Sequence, residues 1–425
     1  MALHKELTEL VAHSIISQQT AQDIERYYAA KQQPSSGNLL LTIFGIVGSA
    51  LVGLGIILIF AHNWDNFTKP VKAGLAFLPL AIAQGLAAWC IFKKKSAAWK
   101  ESAATLLFFA VGACIALVAQ IYNLPGDMSS FLCTWTLLCL PLAYVLQSRM
   151  SAIITIVFAT CHAVQYPFSE HESPWMYLVF IAALLPLYII NLKKDPHSNF
   201  VGFLGWLLPL SAMASIASFI HEFEIYSLGV YMALACLTYN ISKLPALAQH
   251  KAAALGYKVT GILGMAIILF ISSFDVIWIM SPGPNLAYTG LQDIWGVWGI
   301  LLVAAIAVGF VALNKTARIN IYVLITAIYP LVYLSSFVNS YIPTVAANLL
   351  LLAMSLLTIK KGIDRLDFRI LNFGLLVIAI LVTCRFFDLN VSFAIRGLLF
   401  VAVGAGFFAA NYILAKRKRN NPLNA

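Results

Sequence analysis

The sequence predicts an all-α fold, a polytopic bundle of about fourteen transmembrane helices with both termini cytoplasmic, preceded by a short cytoplasmic helical segment. Three observations predict it. Of 425 residues, 61% are hydrophobic and only 10% charged, whereas a soluble domain carries roughly 25% charged residues. Uninterrupted apolar runs of about 17–25 residues, each long enough to cross a bilayer, follow one another almost to the C-terminus. Lysine and arginine gather in every second connection between these runs, the bias that marks cytoplasmic loops. Because the runs are continuous rather than alternating, a closed strand barrel is excluded.

Three regions follow in order: 1–38, an amphipathic helical segment and linker; 39–415, the transmembrane domain; and 416–425, a basic tail. In the first, Leu3, Leu7, Leu10 and Val11 fall at i, i+4, i+7 and i+8, an apolar stripe on one helix face. Ser17 is placed to cap a second helix presenting Ala21, Ile24 and Tyr28, and "KQQPSSGN" at 31–38 ends it. This segment reads as a helical hairpin packed on the cytoplasmic face, or as a docking element for a cytoplasmic partner. It shows no basic, apolar and small-residue cleavage pattern, so the first span is expected to act as an uncleaved insertion signal.

The spans are expected at 39–61, 70–92, 102–121, 130–147, 151–168, 174–192, 199–220, 226–242, 254–273, 295–313, 319–339, 343–360, 368–385 and 392–415. Charge checks the count. Lys93, Lys94, Lys95, Lys100, Arg149, Lys193, Lys194, Lys243, Lys251 and Lys258 fall on one side, and Lys315, Arg318, Lys360, Lys361, Arg365, Arg369 and the run 416–419 continue the alternation. With Lys5, Arg26 and Lys31, that side takes all of the 27 basic residues except Lys69, Lys72, Arg385 and Arg396. The net charge of +10 is thereby accounted for by topology and contact with anionic lipid headgroups. Nucleic acid is not an expected partner, since no basic segment is long or separate enough to form a domain.

The seven cysteines, Cys90, Cys114, Cys133, Cys139, Cys161, Cys236 and Cys384, lie in or at the ends of spans without a CxxC pair, and read as small packing residues. Small residues four apart, Gly45, Ser49 and Gly53 in the first span and Ala402, Gly406 and Ala410 in the last, let helices approach closely. No phosphate loop, HExxH or GxSxG is present, and no cofactor or metal is expected.

Unusual polar residues collect on the side opposite the lysines, at "HNWDN" (62–66), "QIYNLPGD" (120–127) and "RFFDLN" (385–390). The first and last hairpins share a pattern: His62 and Asp65 precede Lys72 and Gly74, and Arg385 and Asp388 precede Arg396 and Gly397. Arg396 sits inside an apolar boundary, where a cation costs about 2.5–3.5 kcal/mol unless paired or snorkelling. Pairing with Asp388 or Asp65, or an anionic ligand, would offset that cost, and arginine suits bidentate contacts to carboxylate or phosphate. The candidate polar cluster is therefore His62, Asn63, Trp64, Asp65, Gln120, Tyr122, Asn123, Asp127, Arg385, Asp388 and Arg396. The competing reading is an interfacial belt, with aromatics at headgroup depth and Asn and Asp capping helix ends. Within the spans, His162, Gln84 and Gln165 are the buried polar candidates, and no carboxylate falls near mid-bilayer.

The polar N-terminal segment, the glycine-rich first span running into "AHNWD", "ALVAQIYNLPGD" at 116–127 with "LPLAY" at 140–144, and the final "RFFDLN" and "RGLLF" together resemble one family. It is the bacterial predicted-membrane-protein family catalogued as domain of unknown function 2157. The resemblance is strongest in 1–145 and 380–415, while 150–360 shows only generic spans. It implies a multi-pass protein of the bacterial cytoplasmic (inner) membrane. A second, smaller membrane protein named after a GDYxxLxY motif, encoded beside some members, is the implied partner, together with membrane lipids. Three functions stand: a non-catalytic component of an envelope membrane complex, a transporter or flippase-like protein for an anionic or lipid-linked substrate, and a membrane-embedded transferase using Asp65 or His62 as base.

Overall fold

Helices form where the sequence places its apolar runs. The computed structural model describes residues 7, 10, 11, 13, 15–31, 67–169, 174–195, 198–220, 226–280, 299, 302, 305, 306, 321–336, 338–388 and 393–420. Side chains at 25–31, 167–169, 226, 280, 323, 326, 386–388, 393–396, 399, 418 and 420 fall outside that description.

The chain divides into two units, residues 1–75 and 76–425. In the first, Leu7, Leu10 and Val11 are helical and Leu7 is buried, as their spacing requires. Helix α1 (Gln18–Lys31) starts at the expected cap: Ser17 Oγ accepts from the Thr20 amide at 3.1 Å. It ends at Lys31, where "KQQPSSGN" begins. The unit closes inside helix α2 (Lys69–Phe92).

In the second unit α2 continues, followed by α3 (Ala97–Tyr122), α4 (Met128–Val145), α5 (Arg149–Ser169), α6 (Trp175–Lys194) and α7 (Asn199–Ser215, extended by a 3-10 turn to Phe219). Then come α8 (Tyr226–Ile241), α9 (Lys251–Ser272), the short α10 (Asp275–Met280), α11 (Ile321–Ser335), α12 (Tyr341–Asp364), α13 (Phe368–Asp388) and α14 (Phe393–Asn420). Eight helices among the described residues are long and apolar enough to cross a membrane: α2, α3, α4, α6, α7, α9, α12 and α13. The expected spans at 151–168, 226–242, 319–339 and 392–415 coincide with α5, α8, α11 and α14. Those at 39–61 and 295–313 lie outside the described residues, apart from 299, 302, 305 and 306. Prolines 79, 141, 186, 209 and 330 sit inside helices, a tolerance typical of helices in lipid. Outward positions such as Phe77, Leu78, Ile82, Leu138, Val179 and Leu349 are exposed and apolar, as a lipid-facing surface must be.

Lipid tails are as apolar as leucine, so helices in a bilayer associate through close packing and hydrogen bonds rather than through hydrophobic burial. The main core joins α8, α9, α11, α12 and α13 through Met232, Tyr239, Met265, Tyr322, Tyr329, Met354 and Leu381. Its tyrosine hydroxyls find partners, Tyr329 with Ser272 at 2.7 Å and Tyr322 with Thr358 at 3.2 Å. Elsewhere backbones touch. A Cβ on Gly256 of α9 would lie 2.3 Å from the carbonyl oxygen of Gly205 in α7, so only glycine fits. The α3/α4 pair meets differently: the Trp135 ring covers Gly112, and its Nε1 donates to the Phe108 carbonyl at 2.7 Å.

Contacts gather the basic connections at one end. Glu101, near the start of α3, accepts from the amides of Arg149 (2.7 Å) and Met150 (3.0 Å) and from the Ser148 hydroxyl, capping α5. Arg149 pairs with Asp195, just after α6, at 3.6 Å. The starts of α7 and α9 lie together through Gly205, Ala253 and Gly256, and Tyr239 near the end of α8 packs on Gly261. Lys243, Lys258, Lys361 and Arg365 act on one another electrostatically, and Arg417 meets Asp364 at 3.7 Å. The connection 123–127 and the segment 273–274 close the opposite ends of these helices.

Candidate functional site

The polar residues predicted from sequence at the end away from the lysines fall into two described groups. The first is built where α3 stops. Asn123 takes a left-handed conformation (φ 49°) and its amide bonds to the Ala119 carbonyl, ending the helix. Asp127 then starts α4, its carboxylate accepting from the Ser130 amide (2.9 Å) and hydroxyl (2.7 Å). Both residues thus do what the belt reading assigns them, and Gln120 and Tyr122 are exposed beside them.

At the second residue of α4, Ser129 reaches His162 of α5. His162 is 2% exposed, and its Nδ1 lies 2.8 Å from the Ser129 hydroxyl oxygen and 3.0 Å from the Ser129 carbonyl oxygen. A carbonyl can only accept, so Nδ1 carries a proton in that contact, and in a neutral ring the lone pair then lies at Nε2. Nε2 is buried with no hydrogen-bond partner among the described residues. The ring packs edge-on against Tyr166 and Phe180. His162 is buried as expected from its place in the span. Gln84 and Gln165 are instead exposed on their helices: Ala83, one residue before the first, and Ala163, two before the second, take the buried face.

The second group surrounds the end of α9, whose last carbonyls lack partners within the helix. Trp278 Nε1 donates to the Ser272 carbonyl at 2.8 Å, and Asn348 Nδ2 donates to the Ser273 carbonyl at 3.0 Å. Arg385, near the end of α13, donates to the Ser273 hydroxyl at 2.9 Å and lays its guanidinium 4.4 Å from the centre of the Phe274 ring. A cation at a helix C-terminus also meets the negative end of the helix dipole. Sequence reasoning singled out Arg385 but missed Ser273, Phe274 and Asn348. The signal for them was weak: an amide inside an apolar run, and a Ser-Ser-Phe end.

Asp127 and Arg385 are held by different neighbours, Ser130 for the one and Ser273 with Phe274 for the other. His62, Asn63, Trp64 and Asp65, and the side chains of Asp388 and Arg396, lie outside the described residues. So does the suggested pairing of the first hairpin with the last.

No curated protein and no solved structure matches the chain. A family model does, and it covers "ALVAQIYNLPGD", Glu101 and Asp127 while ending before His162 and Arg385. Over residues 8–152 the chain matches the family described as predicted membrane protein, domain of unknown function 2157.

Proposed function

We propose that the chain is a non-catalytic component of a membrane complex in the bacterial cytoplasmic membrane, crossing it about fourteen times with both termini and the basic connections in the cytoplasm. The observation that carries this reading is that five buried hydroxyls of the spans are spent on their own helices. Thr136, Thr155, Thr238, Ser355 and Thr358 each donate to the carbonyl four residues back on their own helix, at 2.6–2.8 Å. A translocation path needs polar groups turned toward a lumen, whereas these are turned onto the backbone. Purification from native membranes in mild detergent is expected to bring down a second membrane protein, of the small GDYxxLxY type, in fixed stoichiometry. Repeated recovery of the chain alone overturns the reading. Sidedness has its own check: alkaline phosphatase fused within 123–127 is expected to be active and fused within 93–96 inactive, and the reverse pattern refutes it.

A second reading, a carrier or flippase-like protein for an anionic or lipid-linked substrate, draws on Arg385, half-buried at the end opposite the lysines. Substrate uptake that falls in Arg385→Gln at unchanged protein level would favour it.

A further inference from the structure

Lysines that only orient a membrane protein extend into water from loop ends. Lys243, Lys258 and Lys361 do not; all three are half-buried where α8, α9 and α12 come together. The Lys243 ammonium sits 4.9 Å from the centre of the Tyr239 ring, and that of Lys361 sits 5.5 Å from the Tyr322 ring. Those two buried rings pack on each other with centres 4.6 Å apart. Arg365, at the end of α12, joins the group and acts on all three lysines. Burial first, then the charges of Arg365 and Lys258, hold the Lys243 ammonium below its ordinary pKa.

Carboxylates among the described residues do not balance this charge. Asp367 acts on Lys258 from beyond ion-pair distance, and Asp364 is turned to Arg417. Among the described residues, none of the four cations forms an ion pair. Half-buried like charges in company are unfavourable unless a counter-ion joins them.

We infer that Lys243, Lys258, Lys361 and Arg365 form a binding site for a phosphate-bearing anion between α8, α9 and α12. Three ammoniums supply compact charge and one guanidinium supplies a planar fork that matches phosphate oxygens. Basic pockets between helices on the lysine-rich side of a membrane suit phospholipid headgroups; a soluble phosphate offers the same chemistry. The site stands whether or not the chain has a protein partner.

The test uses the full chain, delipidated in detergent, with thermal unfolding followed on addition of cardiolipin or of inorganic phosphate. The variants are Lys243→Gln with Lys361→Gln, and Arg365→Gln alone. Lys360→Gln, exposed on the same helix, is the control. Affinity is expected to fall about five-fold for each charge removed, and to stay unchanged in the control. Loss confined to cardiolipin assigns the site to a lipid headgroup; loss of phosphate binding assigns it to a soluble anion. Equal response in wild type and folded variants, or no response to either probe, overturns the inference. If the double variant does not fold, Arg365→Gln, altered at an exposed position, decides alone.

Discussion

Two helix interfaces in the same bundle reach close contact by different means. Between α7 and α9, backbone lies on backbone, with Gly205 and Gly256 facing each other. Between α3 and α4 a large side chain, Trp135, fills the space over Gly112 and is held there by its bond to Phe108 and by an edge contact with Phe158. A methyl group added at Gly112 would come within 2.2 Å of that ring, nearer than the 2.3 Å found at Gly256. Distance alone therefore ranks the two sites wrongly. A ring can turn aside; a backbone carbonyl can move only with its helix.

One substitution, glycine to alanine, tests this at both interfaces. Gly256→Ala is expected to be the most damaging, at least about 3 kcal/mol, because α7 and α9 must separate. Its measure is thermal unfolding in detergent, and a folded variant within about 1 kcal/mol of wild type would break the comparison. Gly112→Ala is expected to cost about 1–3 kcal/mol, with a change in tryptophan fluorescence as Trp135 leaves its place. Asp127→Ala, which removes the cap that begins α4, should cost about 1 kcal/mol. Last comes Gly406→Ala, where an added Cβ meets nothing within 4 Å among the described residues; it should change stability by less than about 0.5 kcal/mol. A large loss there would mean that this face of α14 is covered, by another chain or by residues of this one outside the description.

That last position shows how far sequence reading reached. Spacing picked out Gly406 and its neighbours as a close-packing stripe, while the tightest described approach of backbone to backbone lies between α7 and α9, in a stretch that read only as generic spans. Small residues at regular intervals are easy to see; a glycine matched to one partner glycine fifty residues away is not. Helix positions, by contrast, were legible over most of the described residues, since length and apolarity are local properties: α1 begins just after its expected cap, Ser17, and α2 within a residue of its expected start. In the candidate site, Asn123 and Asp127 were legible as caps because each acts on residues next to it in the chain. Glu101 and Asn348 were not, because their partners are distant in sequence: Arg149 and Met150 for the one, Ser273 for the other. The lysine cluster was read as topology, since charge counting records which side a cation is on and not what surrounds it.

The Glu101 cap has a consequence for how the bundle is made. The first amides of α5 are orphan donors, and α5 leaves the ribosome only after α3 and α4 have been synthesised. Its carboxylate is therefore already waiting when those donors emerge. A nascent chain stopped after α5 can therefore close the α3–α5 triplet from its own residues, whereas one with no acceptor at position 101 delivers α5 to the translocon with the amides of Arg149 and Met150 unmet.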